Sequence, residues 1–194
     1  SVWSLALQAD EQMGGGQLTV AFLDVGQGDA IYIESPTGKQ VLIDGGPNRR
    51  VISELGKVMP FGDRSIDMLV VTNPDKDHYG GFLDVIGEYE TELLLESGVE
   101  KDNVTYKELR AQLVQKNIPR HTSRRGEVYD LGGGALLAIL YPDRDVSREN
   151  SNDGSMVMQL SYGESEVLLT GDSTTKVERH LMYLAEKSPI SAVR

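Results

Sequence analysis

The chain has 194 residues, enough for one sizeable domain, and its 39% hydrophobic and 25% charged residues are ordinary for a soluble globular protein. A formal net charge of −11 argues against a surface built for broad, sequence-independent phosphate binding, although bound metal ions would invert the local field. The absence of cysteine excludes disulfides, a thiolate nucleophile, Cys-based metal or haem sites and cysteine-based partners, and three histidines (His78, His121 and His180) leave little room for a His-rich zinc site.

The chain opens on Ser-Val-Trp-Ser-Leu-Ala-Leu, which is apolar but too short to span a bilayer and lacks the basic region of a signal peptide. It reads either as a disordered tail or as the end of a membrane helix anchored upstream of residue 1, with Trp3 near the interface. Residues 12–17 contain three glycines and read as a flexible linker, so one domain is expected over 18–194 after a tail of 1–17.

Residues 18–23, 30–34 and 40–43 are predicted strands separated by turn signals, and together they form an antiparallel meander. Val51, Leu55 and Val58 predict a helix over 50–58, and the apolar run 66–72 predicts a buried strand. A helix over 81–89 packs through Phe82, Val85 and Ile86, and 92–95 is a short strand. Asn103 or Thr105 can cap a helix running to about Lys116, and Asn103-Val-Thr105 also matches a glycosylation acceptor, a pattern that arises often by chance. Strands follow at 128–131, 135–141, 156–162 and 167–170, and Ser173 or Thr174 caps a last helix through Leu184. The order implies stacked sheets flanked by helices.

The most informative segment is Leu69-Val-Val-Thr-Asn-Pro-Asp-Lys-Asp-His-Tyr-Gly-Gly81. An apolar strand stops, and Asn73, Asp75 and Asp77 alternate along an extended loop that would point them the same way, with His78 in reach if the loop bends. Three oxygen donors and one imidazole beyond a strand end look like a metal site, whereas the plain alternative is a solvated Asx-Pro turn. Asp172 ends a second apolar strand, where it serves either as a ligand or as a helix cap. Asp44 ends a third, either orienting ligands from behind or forming a turn. Asp24 and Asp29 flank a Gly-rich turn and read as structural. Asn150–Ser155, including Asn152, is either a polar loop or a wall of the site. His121 reads as exposed and His180 as structural.

Four segments together, Leu23-Asp-Val-Gly-Gln-Gly-Asp-Ala30, Val41-Leu-Ile-Asp-Gly-Gly46, Val71-Thr-Asn-Pro-Asp-Lys-Asp-His-Tyr-Gly-Gly81 and Leu168-Leu-Thr-Gly-Asp172, resemble the metallo-β-lactamase superfamily, in the flavour of its ComEC-like, DNA-uptake branch. The resemblance implies a four-layer αββα sandwich with one or two divalent ions (Mn2+ or Zn2+, or else Mg2+) at the sheet edge. It implies that Asp75 binds the first ion, that Asp77 and His78 hold the second at the catalytic centre, and that Asp172 bridges. A hydroxide between the ions would be the nucleophile. Asp44, Asp29 and Asn152 would support the ligands from behind.

Two departures stand out. Asn73 occupies the place of a customary His, which makes it a weak ligand and favours oxygen-loving ions. The chain also stops before the strands and His-rich segment that follow in the family, so the last part of the sandwich is expected to be missing and a sheet edge exposed. The implied function is metal-dependent hydrolysis of phosphodiester bonds, with nucleic acid as substrate, at the extracytoplasmic face of a bacterial membrane. The alternatives are an ester or thioester hydrolase, a non-catalytic relative that kept the fold, and a cytoplasmic location.

Overall fold

The computed structural model describes residues 3–8 and 16–187. Strands β1 (Trp3–Gln8), β2 (Gln17–Phe22), β3 (Ile31–Glu34) and β4 (Gln40–Ile43) run antiparallel in sequence order. Helix α1 (Arg50–Val58) then crosses to β5 (Ser65–Val71), which pairs parallel with β4. The short α2 (Lys76–Tyr79) and α3 (Phe82–Glu88) lead to β6 (Glu90–Glu96), and α4 (Val104–Gln115) to β7 (Arg120–Thr122). Both of these strands add in parallel and complete a seven-stranded sheet. Strands β8 (Val128–Gly132), β9 (Ala135–Tyr141), β10 (Val157–Tyr162) and β11 (Ser165–Leu169) form a second, antiparallel sheet in the order β11-β10-β9-β8, and α5 (Thr175–Lys187) follows.

Period-2 alternation sorts the side chains into layers. From β5, Leu69 and Val71 face α1, α3 and α4, packing with Leu55, Phe82, Val85 and Leu109. Met68 and Val70 face the other way and meet Leu137, Ile139, Met158 and Leu160 of the second sheet. Val177 and Leu181 of α5 close the outer face over Tyr141 and Val157. The result is the αββα sandwich read from the sequence. Each fully buried Leu, Ile or Phe contributes roughly 1.5–3 kcal/mol relative to exposure.

The predicted strands and helices are present, with boundaries shifted by at most three residues. Three elements differ. Residues 1–17 were expected to lie outside the domain as a tail or a membrane-helix end, yet Trp3–Gln8 pair with β2 across six residues, so the edge of β2 is bonded rather than open. Residues 1–2 and most of the expected linker, 9–15, lie outside the described residues. The exposed Arg120–Thr122 forms β7 without any apolar alternation to announce it. The signature loop, expected to be extended through residue 77, turns helical at Lys76 after an extended Asp75. Strand β11 lies at an edge of its sheet, with Leu168 exposed. Among the described residues, no helix is long and apolar enough to cross a membrane.

Asn103 is the N-cap of α4, its Oδ1 accepting from Tyr106 N at 2.7 Å and from the Tyr79 hydroxyl at 2.9 Å. Asn103→Ala leaves both donors without this acceptor, so it should lower stability by about 1–2 kcal/mol in urea denaturation with an unchanged m-value. A variant as stable as the parent would mean that the cap contributes nothing.

Candidate metal centre

The site lies where β4 and β5 end side by side and where the loop after β11 reaches the same edge. Asp44 follows Ile43 directly and takes a left-handed conformation, φ 56°, that few side chains other than Asp and Asn tolerate. Its backbone N–H donates to Val70 O at 2.8 Å, continuing the parallel pairing. The turned backbone buries its carboxylate, which accepts twice from Thr72, from N–H to Oδ1 at 2.9 Å and from Oγ1 to Oδ2 at 2.6 Å.

Oδ2 of Asp44 also lies 2.8 Å from His78 Nδ1, and both side chains are only 1% exposed. Asp44 has no proton to give in this arrangement, so Nδ1–H donates and the imidazole is held in one orientation. Nε2 is then left to face Asp172 Oδ2 at 3.2 Å. Burial opposes a charged imidazole, but the Asp44 and Asp172 carboxylates outweigh it and raise the His78 pKa to about 9. Burial likewise pushes the Asp44 carboxyl above its usual range, against the donors from His78 and Thr72. The three hydrogen bonds that Asp44 accepts identify it as the carboxylate of the pair.

Asp29 arrives from the Gly-rich turn after β2, and one of its carboxylate oxygens, one of Asp44 and one His78 ring nitrogen lie within 4.8 Å of one another. Gly28 makes this approach feasible. Its φ is +81°, and a Cβ there would collide with the Asp77 carbonyl oxygen. Asp77 is half-buried one residue before His78 on α2. Asp172 is fixed through its backbone, whose N–H donates to Ser155 Oγ at 3.2 Å, while its side chain stays 45% exposed.

The first part of the signature loop behaves differently. Asn73 is fully buried, its Oδ1 accepting from Asp75 N–H at 3.0 Å and its Nδ2 donating to Asn152 Oδ1 at 3.0 Å. Asp75 is paired with Lys101 and accepts from Ser151 Oγ at 3.0 Å. The structure therefore gathers Asp29, Asp44 and His78 in one cluster, sets Asp172 against the far nitrogen of His78, and engages Asn73, Asn152 and Asp75 with protein groups. Thr72 and Lys101 were not singled out from the sequence, and Ser151 and Ser155 were read only as parts of the 150–155 segment that could wall the site. Thr72 could have been noticed as a polar residue ending an apolar strand, but nothing local marks Lys101. His121 is exposed and bonded to Glu127, and His180 is bonded to Asp143, both away from the site.

The donors fit a divalent ion. With Nδ1–H held by Asp44, Nε2 is the nitrogen that His78 offers an ion once its proton leaves, and a carboxylate oxygen lies 3.2 Å away. That is a spacing two ligands of one ion keep when each bond is about 2.1 Å.

The model of the metallo-beta-lactamase superfamily matches residues 23–190. The chain belongs to this superfamily. It is 25% identical over 181 residues to ComE operon protein 3 of Bacillus subtilis (strain 168), covering 84% of this chain and 23% of that protein. It is 29% identical over 162 residues to Recombination protein 2 of Haemophilus influenzae (strain Rd), covering 81% and 18%. The chain thus spans less than a quarter of the length of these curated relatives, which agree with the ComEC-like resemblance of its motifs. Similar solved structures include a metallo-beta-lactamase of Cronobacter sakazakii with a HARLDQ motif (TM-score 0.52, 12% identity, 80% of this chain and 61% of that one). Another is CmlA, a diiron beta-hydroxylase from Streptomyces venezuelae (TM-score 0.53, 18% identity, 86% and 32%). At these identities the likeness is one of fold. The superfamily fold binds divalent metals, and this chain presents a candidate site for them.

Because a ligand imidazole must be unprotonated at Nε2, the raised pKa sets the pH dependence of metal binding. Mn2+ affinity, measured by calorimetry, should tighten about tenfold per pH unit between about pH 7 and about 9, then level off. An affinity independent of pH across that interval would remove His78 from the ligand set.

Proposed function

We propose that this chain is a metal-dependent hydrolase domain acting on phosphodiester bonds, in a nuclease linked to DNA uptake at the extracytoplasmic face of a bacterial membrane. The observation that carries the reading is the line Thr72–Asp44–His78–Asp172, which aims an oriented imidazole at an exposed carboxylate on the sheet edge. A structural carboxylate does not need a buried relay behind it, whereas a ligand does.

His78, Asp77 and Asp172 would hold the ion, with Asp29 beside them. Oxygen donors outnumber the single imidazole, which suits Mn2+ or Mg2+ better than Zn2+. When bound, such an ion would acidify water and polarise a phosphoryl oxygen. Asp44 keeps the proton of His78 on Nδ1, Thr72 keeps Asp44 turned towards His78, and Ser155 fixes the backbone that carries Asp172. The resemblance to ComE operon protein 3 and Recombination protein 2 supports the nucleic-acid assignment. The fold alone would not, because CmlA shares it and is a beta-hydroxylase.

The test is hydrolysis of bis-p-nitrophenyl phosphate and of a labelled single-stranded oligonucleotide with Mn2+. Asp172→Ala should lower kcat on both by about a hundredfold or more. Because the side chain is 45% exposed, its removal opens no cavity and should move Tm by less than about 3 °C. Full activity in that variant, or no hydrolysis of either substrate by the parent, would overturn the reading.

A further inference from the structure

The two halves of the signature loop are not equivalent. His78 turns Nε2 to Asp172 Oδ2 at 3.2 Å. Asn73 has committed its carbonyl to Asp75 N–H and its amide to Asn152, and is fully buried, so turning it outward would break both bonds inside the protein. Asp75 gives Oδ1 to the Lys101 ammonium and to Ser151 Oγ, and Lys101 is itself held to Ser151 Oγ at 3.1 Å. Lys101 comes from the loop between β6 and α4, so this cation is brought in from a different part of the chain. An ammonium and a divalent ion sharing one carboxylate oxygen compete for its lone pairs and repel each other.

We infer that the chain binds a single divalent ion, at His78 and Asp172, and that the Lys101 ammonium is the built-in cation of the Asn73–Asp75 half of the loop. Asp75 is therefore a partner of Lys101 rather than a ligand. The positive charge that a second ion would bring is supplied covalently and cannot be removed by a chelator. This inference rests on the metal-hydrolase reading above.

The experiment counts Mn2+ per chain by mass spectrometry after dialysis and by calorimetry at millimolar Mn2+. The parent should hold one ion in both measurements. Asp75→Asn should keep that ion with Kd changed less than threefold, and Asp172→Asn should lose it. Lys101→Met frees Asp75 and should take up a second, weaker ion in millimolar Mn2+, whereas Lys101→Arg should stay at one. The Arg variant, with circular dichroism on each protein, keeps the comparison valid if the Met variant fails to fold. Two ions in the parent, loss of the ion in Asp75→Asn, or a second ion in Lys101→Arg would each overturn the inference while leaving a metal-dependent hydrolase in place. No ion in the parent removes both.

Discussion

The hydrogen bond between Asp44 and His78 is the constraint on which the site depends. A buried carboxylate costs several kcal/mol unless its lone pairs are satisfied. Here Thr72 supplies two donors and His78 a third. The left-handed backbone that aims Asp44 inward adds strain of order 1–3 kcal/mol, which the same three donors offset. Each donor sits on a different piece of chain from Asp44, so the bond joins the end of β4, the end of β5 and the α2 turn. None of the three can shift without leaving a buried charge unpaired. The imidazole inherits that rigidity.

Backbone contact between motifs tightens the frame further. Gly81 N–H donates to Gly46 O at 2.9 Å, and a Cβ on Gly81 would strike the Gly45 carbonyl oxygen. The glycine pair after His78 and the pair after Asp44 are therefore one packing unit, and Gly28 brings the Gly-rich turn against the same helix. The loop into β10 is bonded to the end of β5, Met156 N–H to Thr72 O at 2.9 Å, and Ser155 on the same loop holds the backbone of Asp172. Thr72 thus touches both halves of the sandwich, holding Asp44 with its N–H and hydroxyl and β10 with its carbonyl.

Much of this was legible in the sequence because it is local. The apolar run ending at Val71 marks a central strand by itself, and Asp44, His78 and Asp172 stand out as polar residues just beyond such runs. What was not legible depends on distance along the chain. Lys101 meets Asp75 across 26 residues and Ser151 meets it across 76, and no periodicity reports such pairs. Asn73 and Asp75 do alternate with Asp77, but the backbone leaves the extended region at Lys76, so the alternation ends before it can gather all three. Strand β7 is exposed along its length and is held by pairing with β6 rather than by burial, which removes the signal that a strand ordinarily writes into its residues.

The charge balance of the site orders its binding events. Asp29, Asp77 and Asp172 stand at one edge of a chain whose net charge is −11, and a phosphodiester approaching them carries its own negative charge. Coulomb repulsion between such groups at contact distances outweighs what a neutral surface could recover. In the proposed reading a divalent ion must therefore be in place before the substrate, and the substrate in turn must tighten the ion, because coupling between two ligands is reciprocal. Lys101 changes the terms of that coupling. Its charge is present whether or not metal is bound, so the Asp75 side stays neutralised throughout while the His78 side is switched by the ion. A fixed cation next to an exchangeable one lets an acidic domain recognise an anion only when loaded, without the broad basic surface that its composition lacks.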